Sequence, residues 1–406
     1  MVTGSPVAAG LFIKYNSQQE EHKMDRISKL PLGIIENILC LLPTQEAART
    51  SILSKEWRYH WTEISKLEFN EEAFEVSTYG AEPSALEQTF DFPSHRKAMT
   101  RRCKLFYAIY QVVIMHQGPI HEFTLSMRAD DSCIEIDHIL IHLSRKNTVK
   151  ILKLDFIGKY KLPVSFFSLH QLMDLYLNDC AIDHQPSFNG FGGLTTLHLQ
   201  EIHICVKELM RLLSSCPLLK RLAILSDAGT VNGIGDITIA DFIKCLPGIE
   251  YLSLLCLIFL CFPPLPKELP TTMVHLKYLR MEWVWFRHKY VVPFLVLLIR
   301  SSPNLEKLKL EIFPDDDLFE ESETGSFPRK DYPDIMLKHL TELEILQFSD
   351  ADNEMDFVKF ILAKSPTLKK VRILLWDEID ENEKLQISKI LRSSPCASRV
   401  VKLSVS

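Results

Sequence analysis

The sequence predicts an α/β solenoid, with a parallel sheet on the concave side, helices outside, and a small three-helix module at the N-terminus. Three observations carry this. One apolar spacing recurs ten times along the chain, a helix-ending signal recurs ahead of several copies, and residues before 72 follow a helical period instead. At 406 residues the chain is long enough for two or more domains or one elongated array. Charged residues make up 24% and hydrophobic ones 47%, which excludes collagen-like, low-complexity and largely disordered chains. A formal net charge of −6 leaves no footprint for non-specific nucleic-acid binding.

The repeated spacing is apolar-x-x-apolar-x-apolar. It reads Ile120, Phe123, Leu125; Val149, Leu152, Leu154; Leu172, Leu175, Leu177; Leu194, Leu197, Leu199; and Leu219, Leu222, Ile224. It continues as Ile249, Leu252, Leu254; Leu276, Leu279, Met281; Leu305, Leu308, Leu310; Leu343, Leu346, Phe348; and Leu368, Val371, Ile373. The mean step is about 28 residues, near the top of the leucine-rich-repeat range of about 20–29. The last two apolar positions lie two apart, so both face one side of a short strand, and the first marks the turn into it. One unit cannot bury its own apolar edge; stacked units can.

Ahead of the strand runs a helix with a stop. Leu212-Leu213-Ser214-Ser215-Cys216-Pro217, Leu298-Ile299-Arg300-Ser301-Ser302-Pro303 and Ile361-Leu362-Ala363-Lys364-Ser365-Pro366 share it, and Phe242–Pro247 is a looser copy. Apolar residues give way to small or polar ones, and proline ends the helix. Alternating helix and strand predicts parallel pairing. A long step from Leu305 to Leu343 holds an acidic run, residues 315–323, expected to be a solvated loop.

At the N-terminus, residues 1–23 read as a flexible leader. Pro31 suits a first helical turn, and Ile34, Ile35, Ile38, Leu39 and Leu42 follow at helical spacing until Pro43. Thr44 is placed as the N-cap of a second helix and Ser54 as that of a third, which carries Trp57 and Trp61 four apart. Three short helices bury few side chains, so the module is marginal alone. Docking on a partner and capping of the repeat array are equally open readings of it.

Catalytic and metal signatures are missing. His138 and His142 are four apart, but no Glu lies between them as in the zinc-protease motif. The glycines at 190–193 and 229–235 fit neither a P-loop nor a dinucleotide fingerprint, and G-x-S-x-G does not occur. No cofactor or metal is expected. The ten cysteines are scattered, without C-x-x-C, and read as reduced core residues, as in Ile204-Cys205-Val206 and Leu260-Cys261-Phe262. Arg96, Lys97, Arg101, Arg102 and Lys104 read as the polar end of the apolar helix Leu105–Met115. The most apolar stretch, Tyr251–Phe262, is too short to span a membrane. With no secretion signal, the expected compartment is cytoplasm or nucleus, with neither membrane nor nucleic acid as a partner.

The N-terminal residues resemble a known motif. Leu30-Pro31, Leu41-Leu42-Pro43-Thr44 and Ser51-Ile52-Leu53-Ser54-Lys55-Glu56-Trp57-Arg58 with Trp61 closely resemble the plant F-box; Glu56 departs slightly, at a position commonly basic or small. His116–Phe123 looks like the opening of a first repeat in the same family, and the stretch from Leu340 to Ser398 resembles its FBD segment. The chain is thus similar to plant F-box/LRR/FBD proteins. The division expected is a leader (1–23), an F-box (24–72), a linker with a capping helix (73–119), leucine-rich repeats (120–335) and an FBD segment continuing them (336–406). The resemblance implies a non-catalytic substrate-recognition subunit of a cullin-RING ubiquitin ligase. Its F-box would bind a Skp-type adaptor through Leu30, Pro31, Ile34, Ile38, Leu42 and Trp57. Its repeats would bind an unknown target protein. The alternative is an adaptor-binding scaffold that directs no degradation. Residues flanking the strand leucines face the concave side, which makes Tyr176, His198, Tyr278, Arg280, Lys309 and Arg372 the target-binding candidates, beside Asp174, Glu282, Lys307 and Lys370. Tyr and Arg are common interface anchors; a charged side chain on a sheet face is more often simply solvated.

Overall fold

The spacing builds a single ladder. The computed structural model describes residues 30–74 except 56, 92–183, 190–226, 231–232, 237–256, 258, 266, 268–269, 271–313, 335–349, 351–377 and 379–406. The leader 1–23, Glu56, Cys261, the glycines 229–235 and the acidic run 315–323 lie outside the described residues.

The head comes first. Helix α1 (Leu32–Leu39) starts behind Pro31, which carries its first backbone bonds: Ile34 N–H donates to the Pro31 carbonyl at 2.8 Å. Pro43 in turn precedes α2 (Thr44–Arg49). Thr44 does not cap this helix. It is buried, and its Oγ1 accepts from the Glu68 N–H at 2.6 Å, tying the head to the first strand of the ladder. The third helix is not α-helical: a 3-10 turn (Thr50–Ile52) and another (His60–Glu63) flank irregular turns. Ser54 Oγ still accepts from the Trp57 N–H at 3.2 Å, as a cap would.

Among the described residues twelve strands form one all-parallel sheet: β1 (Lys66–Asn70), β2 (Glu122–Arg128), β3 (Ile151–Lys161), β4 (Asp174–Ala181), β5 (Thr196–Gln200), β7 (Arg221–Leu225), β9 (Tyr251–Leu255), β10 (Tyr278–Val284), β11 (Lys307–Ile312), β12 (Glu342–Phe348), β13 (Lys370–Leu375) and β14 (Lys402–Val405). A separate pair is β6 (Ile204–Cys205) with β8 (Val231–Asn232). Register is set by the repeat frame. Leu67, Phe123, Leu152, Leu175, Leu197, Leu222, Leu252, Leu279, Leu308, Leu343 and Val371 sit side by side, all buried. Residues two apart on a strand share a face, so the whole row must turn inward together.

Two strands lie beyond the ten copies, β1 at the N-terminal end and β14 at the C-terminal end. Both obey the spacing: Ile64, Leu67, Phe69 and Val400, Leu403, Val405. A third correction concerns β12. Leu343 pairs with Leu308 and Ile345 with Leu310, so the frame is Leu340, Leu343, Ile345, three residues ahead of the Leu343, Leu346, Phe348 reading. The run Leu340-x-x-Leu343-x-Ile345-Leu346-x-Phe348 satisfies the rule in two frames, and burial of Leu340 selects the first.

The helices are α3 (Phe92–Met115), α4 (Ile134–Lys146), α5 (Val206–Ser214), α6 (Ile239–Lys244), α7 (Val291–Arg300), α8 (Asp352–Lys364) and α9 (Glu381–Ser393). They connect successive strands from outside. The link from β3 to β4 is shorter, a 3-10 segment at Val164–Ser168. The helix-stop signal has a plain cause. Ser215 Oγ donates to the Arg211 carbonyl at 2.7 Å and Ser302 Oγ to the Leu298 carbonyl at 2.7 Å, satisfying C-terminal carbonyls that a helix leaves open. The basic residues 96–104 and the apolar run that follows belong to one helix, α3, which buries Leu105, Phe106, Ile109 and Val112. Cysteines divide: Cys133, Cys180, Cys216 and Cys256 are buried, whereas Cys103, Cys205 and Cys396 are exposed. Cys205 follows Ile204 in β6, and strand alternation sends the two side chains opposite ways.

Candidate functional site

Two surfaces carry the sequence candidates. The first is the head. Ile35, Leu39, Ala47, Trp57 and Trp61 are buried and run without a break into Ile64, Leu67 and Phe69 at the start of the ladder. The head therefore caps the array. It also keeps an apolar outer face. Ile34 is 46% exposed and Ile38 39%, one turn apart on α1; Pro31 is exposed and Leu30 and Leu42 are half-buried. Trp57 is only 4% exposed, so its ring offers a partner almost nothing and serves the head's own core. The sequence reading missed Leu32, Leu41, Ile52, Leu53 and Tyr59, of which Leu41 (84%) and Ile52 (86%) are the most exposed. Leu41 was legible: next to Leu42, before a helix-ending proline, one of the two has to face outward. A contiguous patch of exposed apolar residues is what an interaction surface requires.

The second surface is the concave face of the sheet. Position by position, the residue between the two strand leucines runs Glu68, Thr124, Lys153, Tyr176, His198, Ala223, Ser253, Arg280, Lys309, Glu344, Arg372, Ser404. The candidates fall into three groups. Tyr176 packs on His198 with ring centroids 4.6 Å apart, and its hydroxyl donates to Gln200 Oε1 at 3.1 Å. Tyr278 stacks flat on Tyr251 at 4.6 Å, and the Arg221 guanidinium lies 4.7 Å over the other ring. Arg280 lies 2.9 Å from Glu282 and 3.3 Å from Glu311, while Lys309 (3.5 Å) and Arg372 (3.1 Å) share Glu344. Lys307 pairs with Glu342 at 3.0 Å.

Burial tunes these groups. It holds His198 below the ordinary histidine range, with Arg280 adding to the effect, so the ring is neutral at pH 7. Burial likewise raises the Tyr176 and Tyr278 hydroxyls and the Glu282 carboxyl. Glu344 is drawn below the usual carboxylate value: burial opposes this, and Lys309 and Arg372 outweigh it. The face is thus a mosaic of aromatic stacks and internal ion pairs. The more exposed of these pairs, such as Lys307 with Glu342, contribute little to stability.

Among the described residues no group of three His, Cys, Asp or Glu is placed to hold a metal ion. His138 is exposed and His142 half-buried on α4, without a third ligand. Among the described residues no helix is long and apolar enough to cross a membrane.

Comparison with known proteins agrees with this layout. An F-box domain family model matches residues 27–68, one for the LRR repeats of FBD-associated F-box protein At5g56370 matches 137–239, and the FBD model matches 328–373. The Arabidopsis thaliana F-box/FBD/LRR-repeat protein At1g13570 is 31% identical over 397 residues, covering 86% of this chain and 91% of its own. The putative F-box/FBD/LRR-repeat protein At4g13965 of the same plant is 24% identical over 441 residues, covering 91% and 94%. Among solved structures an internalin from Listeria monocytogenes aligns over 65% of this chain and 78% of its own at 13% identity and a TM-score of 0.32. That superposition is too distant to add to what the strand ladder itself shows.

Proposed function

The chain belongs to the F-box/FBD/LRR-repeat protein family, and from that membership we propose that it is the substrate-recognition subunit of an SCF-type cullin-RING ubiquitin ligase. The observation that carries this reading is the head: it is docked on the ladder through a shared core and still leaves Ile34, Ile38, Leu41, Ile52 and Leu53 exposed. An apolar face of that kind suits a Skp-type adaptor, with Leu30, Pro31, Ile34, Ile38 and Leu42 in the contact and Trp57 holding the module together from inside. The concave face, rich in Tyr and Arg, suits a target protein. The protein itself performs no bond chemistry in this scheme. It raises the effective concentration of the target's lysines near a ubiquitin thioester carried elsewhere in the complex. Such a subunit works in the cytoplasm or nucleus.

The pairing of Lys307, Lys309, Arg280 and Arg372 with carboxylates of the same face favours a second reading, a scaffold that binds the adaptor and delivers no target. One experiment tests the shared premise. The wild-type chain co-purifies with a Skp-type adaptor, and the Leu30→Ala, Pro31→Ala double variant does not; equal recovery of both removes the adaptor reading. A target that accumulates when the chain is deleted then separates receptor from scaffold.

A further inference from the structure

The two ends of the ladder are finished differently. At the first strand the head covers the edge, where the Glu68 N–H of β1 is taken by Thr44 Oγ1 at 2.6 Å. At the other end, among the described residues, no strand pairs with the outer side of β14. Lys402 N–H donates to the Lys369 carbonyl at 2.9 Å and Ser406 N–H to the Ile373 carbonyl at 3.0 Å, while the Ser406 carbonyl accepts from Leu375 N–H at 2.9 Å. Alternate residues of a strand turn their peptide groups to opposite sides, so the N–H and C=O of Leu403 and Val405 point outward.

The apolar side of this rung is unfinished too. Val400 is 69% exposed, whereas the same position of the other eleven rungs, from Ile64 to Leu368, is at most 2% exposed. Leu403 and Val405 are half-buried, beside fully buried Val371 and Ile373. Solenoids stay soluble by capping such ends, and sheets guard open edges with inward-pointing charges, proline or bulges. β14 carries none of these. Its inward residues are Leu403 and Val405, its register with β13 is unbroken, and its one charge, Lys402, lies on the concave face.

A row of outward peptide groups is met by another strand, and that strand must bring apolar side chains at every second position. β14 itself satisfies both conditions. In an antiparallel pair centred on Ser404, Leu403 of each copy faces Val405 of the other. Both residues turn their peptide groups outward, so each such pairing exchanges two hydrogen bonds. The apolar side chains stay on the core side, and Lys402 faces Ser406. Centring on Leu403 instead would set the two Lys402 side chains diagonally adjacent, like charge against like. The same two-fold runs the two α9 helices antiparallel. It brings the exposed acidic first turn of one, with Glu381 and Glu383, toward the exposed basic end of the other, with Lys389 and Arg392. We propose that the β14 edge is a self-association surface, on which a second copy of this chain pairs antiparallel about Ser404. Two ladders then join into one sheet with a head at each outer end. This inference stands apart from the ligase reading and does not rest on it.

Sedimentation equilibrium of the full-length chain should show a concentration-dependent rise to twice the chain mass. Val405→Pro removes an outward N–H and leaves the bonds to β13 in place. It should weaken self-association about tenfold or more at an unchanged urea midpoint. Leu41→Asp alters only the outer face of the head and should associate like the wild type. Register is read by cross-linking, in a background with Cys103, Cys205 and Cys396 replaced by Ser. Ser404 meets its own copy in a non-hydrogen-bonded pair, with Cα atoms about 4.5 Å apart, within reach of a disulfide. Ser404→Cys should therefore give a covalent dimer on oxidation. Lys402→Cys should not, because the two copies of that position lie about 14 Å apart along the pair. A chain that stays monomeric at every concentration, association unchanged in Val405→Pro, association lost in Leu41→Asp, or cross-linking of Lys402→Cys in place of Ser404→Cys would each overturn the proposal. Should Val405→Pro unfold early, the Ser404→Cys cross-link decides alone.

Discussion

Trp57 and Leu41 lie sixteen positions apart in one small module, one buried and one exposed, and if the head binds an adaptor a single pair of variants separates core from contact. Trp57 is 4% exposed, its ring edge-on to His60 at 5.9 Å. Removing such a side chain leaves a cavity, and Trp→Ala changes in cores cost about 3–5 kcal/mol. Because the head's core continues into β1, Trp57→Ala should weaken the whole N-terminal end of the ladder. Leu41 is 84% exposed. Its replacement by Asp should leave stability within about 0.5 kcal/mol while removing a side chain that contributes about 1.5–3 kcal/mol when covered by a partner, a loss of about 10- to 100-fold in adaptor affinity. Urea denaturation of the free chain and titration calorimetry against a Skp-type adaptor give the two readouts. A third variant decides the role of the indole. Trp57→Phe keeps most of the apolar volume and should retain adaptor binding. If Trp57→Phe binds as poorly as Leu41→Asp while unfolding at the wild-type midpoint, Trp57 is a contact residue and its placement in the core is wrong. If Leu41→Asp unfolds early, the outer face is not free.

Further outcomes follow from other parts of the fold. Gly190 has φ +98° and an added Cβ would lie 2.2 Å from the Ser215 carbonyl oxygen, whereas a Cβ at Gly192 meets nothing within 4 Å; Gly190→Ala should therefore cost more than about 1 kcal/mol and Gly192→Ala almost nothing, as read by denaturant midpoints. His116 sits with Nε2 2.8 Å from the Ile64 carbonyl, and burial, with Lys146 adding, holds its pKa below the ordinary 6.5. The folded state thus binds a proton less readily than the unfolded one, so its contribution is complete above pH 6.5 and is lost as pH falls through the depressed folded value. His116→Gln should flatten that part of the stability–pH curve, and an unchanged slope would show that other buried histidines set it. Site-resolved maleimide labelling of the native protein should modify Cys103, Cys205 and Cys396. It should spare Cys216 and Cys256, whose thiols burial pushes up to about 11 and about 12, until the chain is denatured.

The ladder was legible because its cause is local. Each strand needs two inward residues two apart and a third three earlier, and that spacing survives in the sequence without any knowledge of neighbours. Reading fails where spacing is ambiguous or chemistry is tertiary. Leu340 to Phe348 fits two frames, and only contact with β11 chooses between them. Thr44 looks like a cap from its place behind Pro43, yet its hydroxyl is taken by the Glu68 N–H, a partner far away in sequence. β1 was hidden because Ile64, Leu67 and Phe69 sit inside the module read as a separate helical unit. On the concave face the candidates Tyr176, His198, Tyr278 and Arg280 were visible as residue types. Their stacking and ion pairing depend on which strands are adjacent, and appear only when the copies are laid side by side.

The bond from Thr44 to Glu68 also sets a measure of length. With the head seated directly on β1, no tether of variable span separates it from the sheet, and every later strand lies a fixed number of rungs away. Six rungs lead from β1 to β9, about 29 Å at the spacing of parallel strands. A cargo gripped on that strand would then be presented at a set offset, like a workpiece in a jig, and which of its lysines is reached would depend on where along the rungs it is gripped. Adding or deleting one complete repeat between β2 and β5 would slide the grip by about 4.8 Å and move the modified lysine without touching either surface.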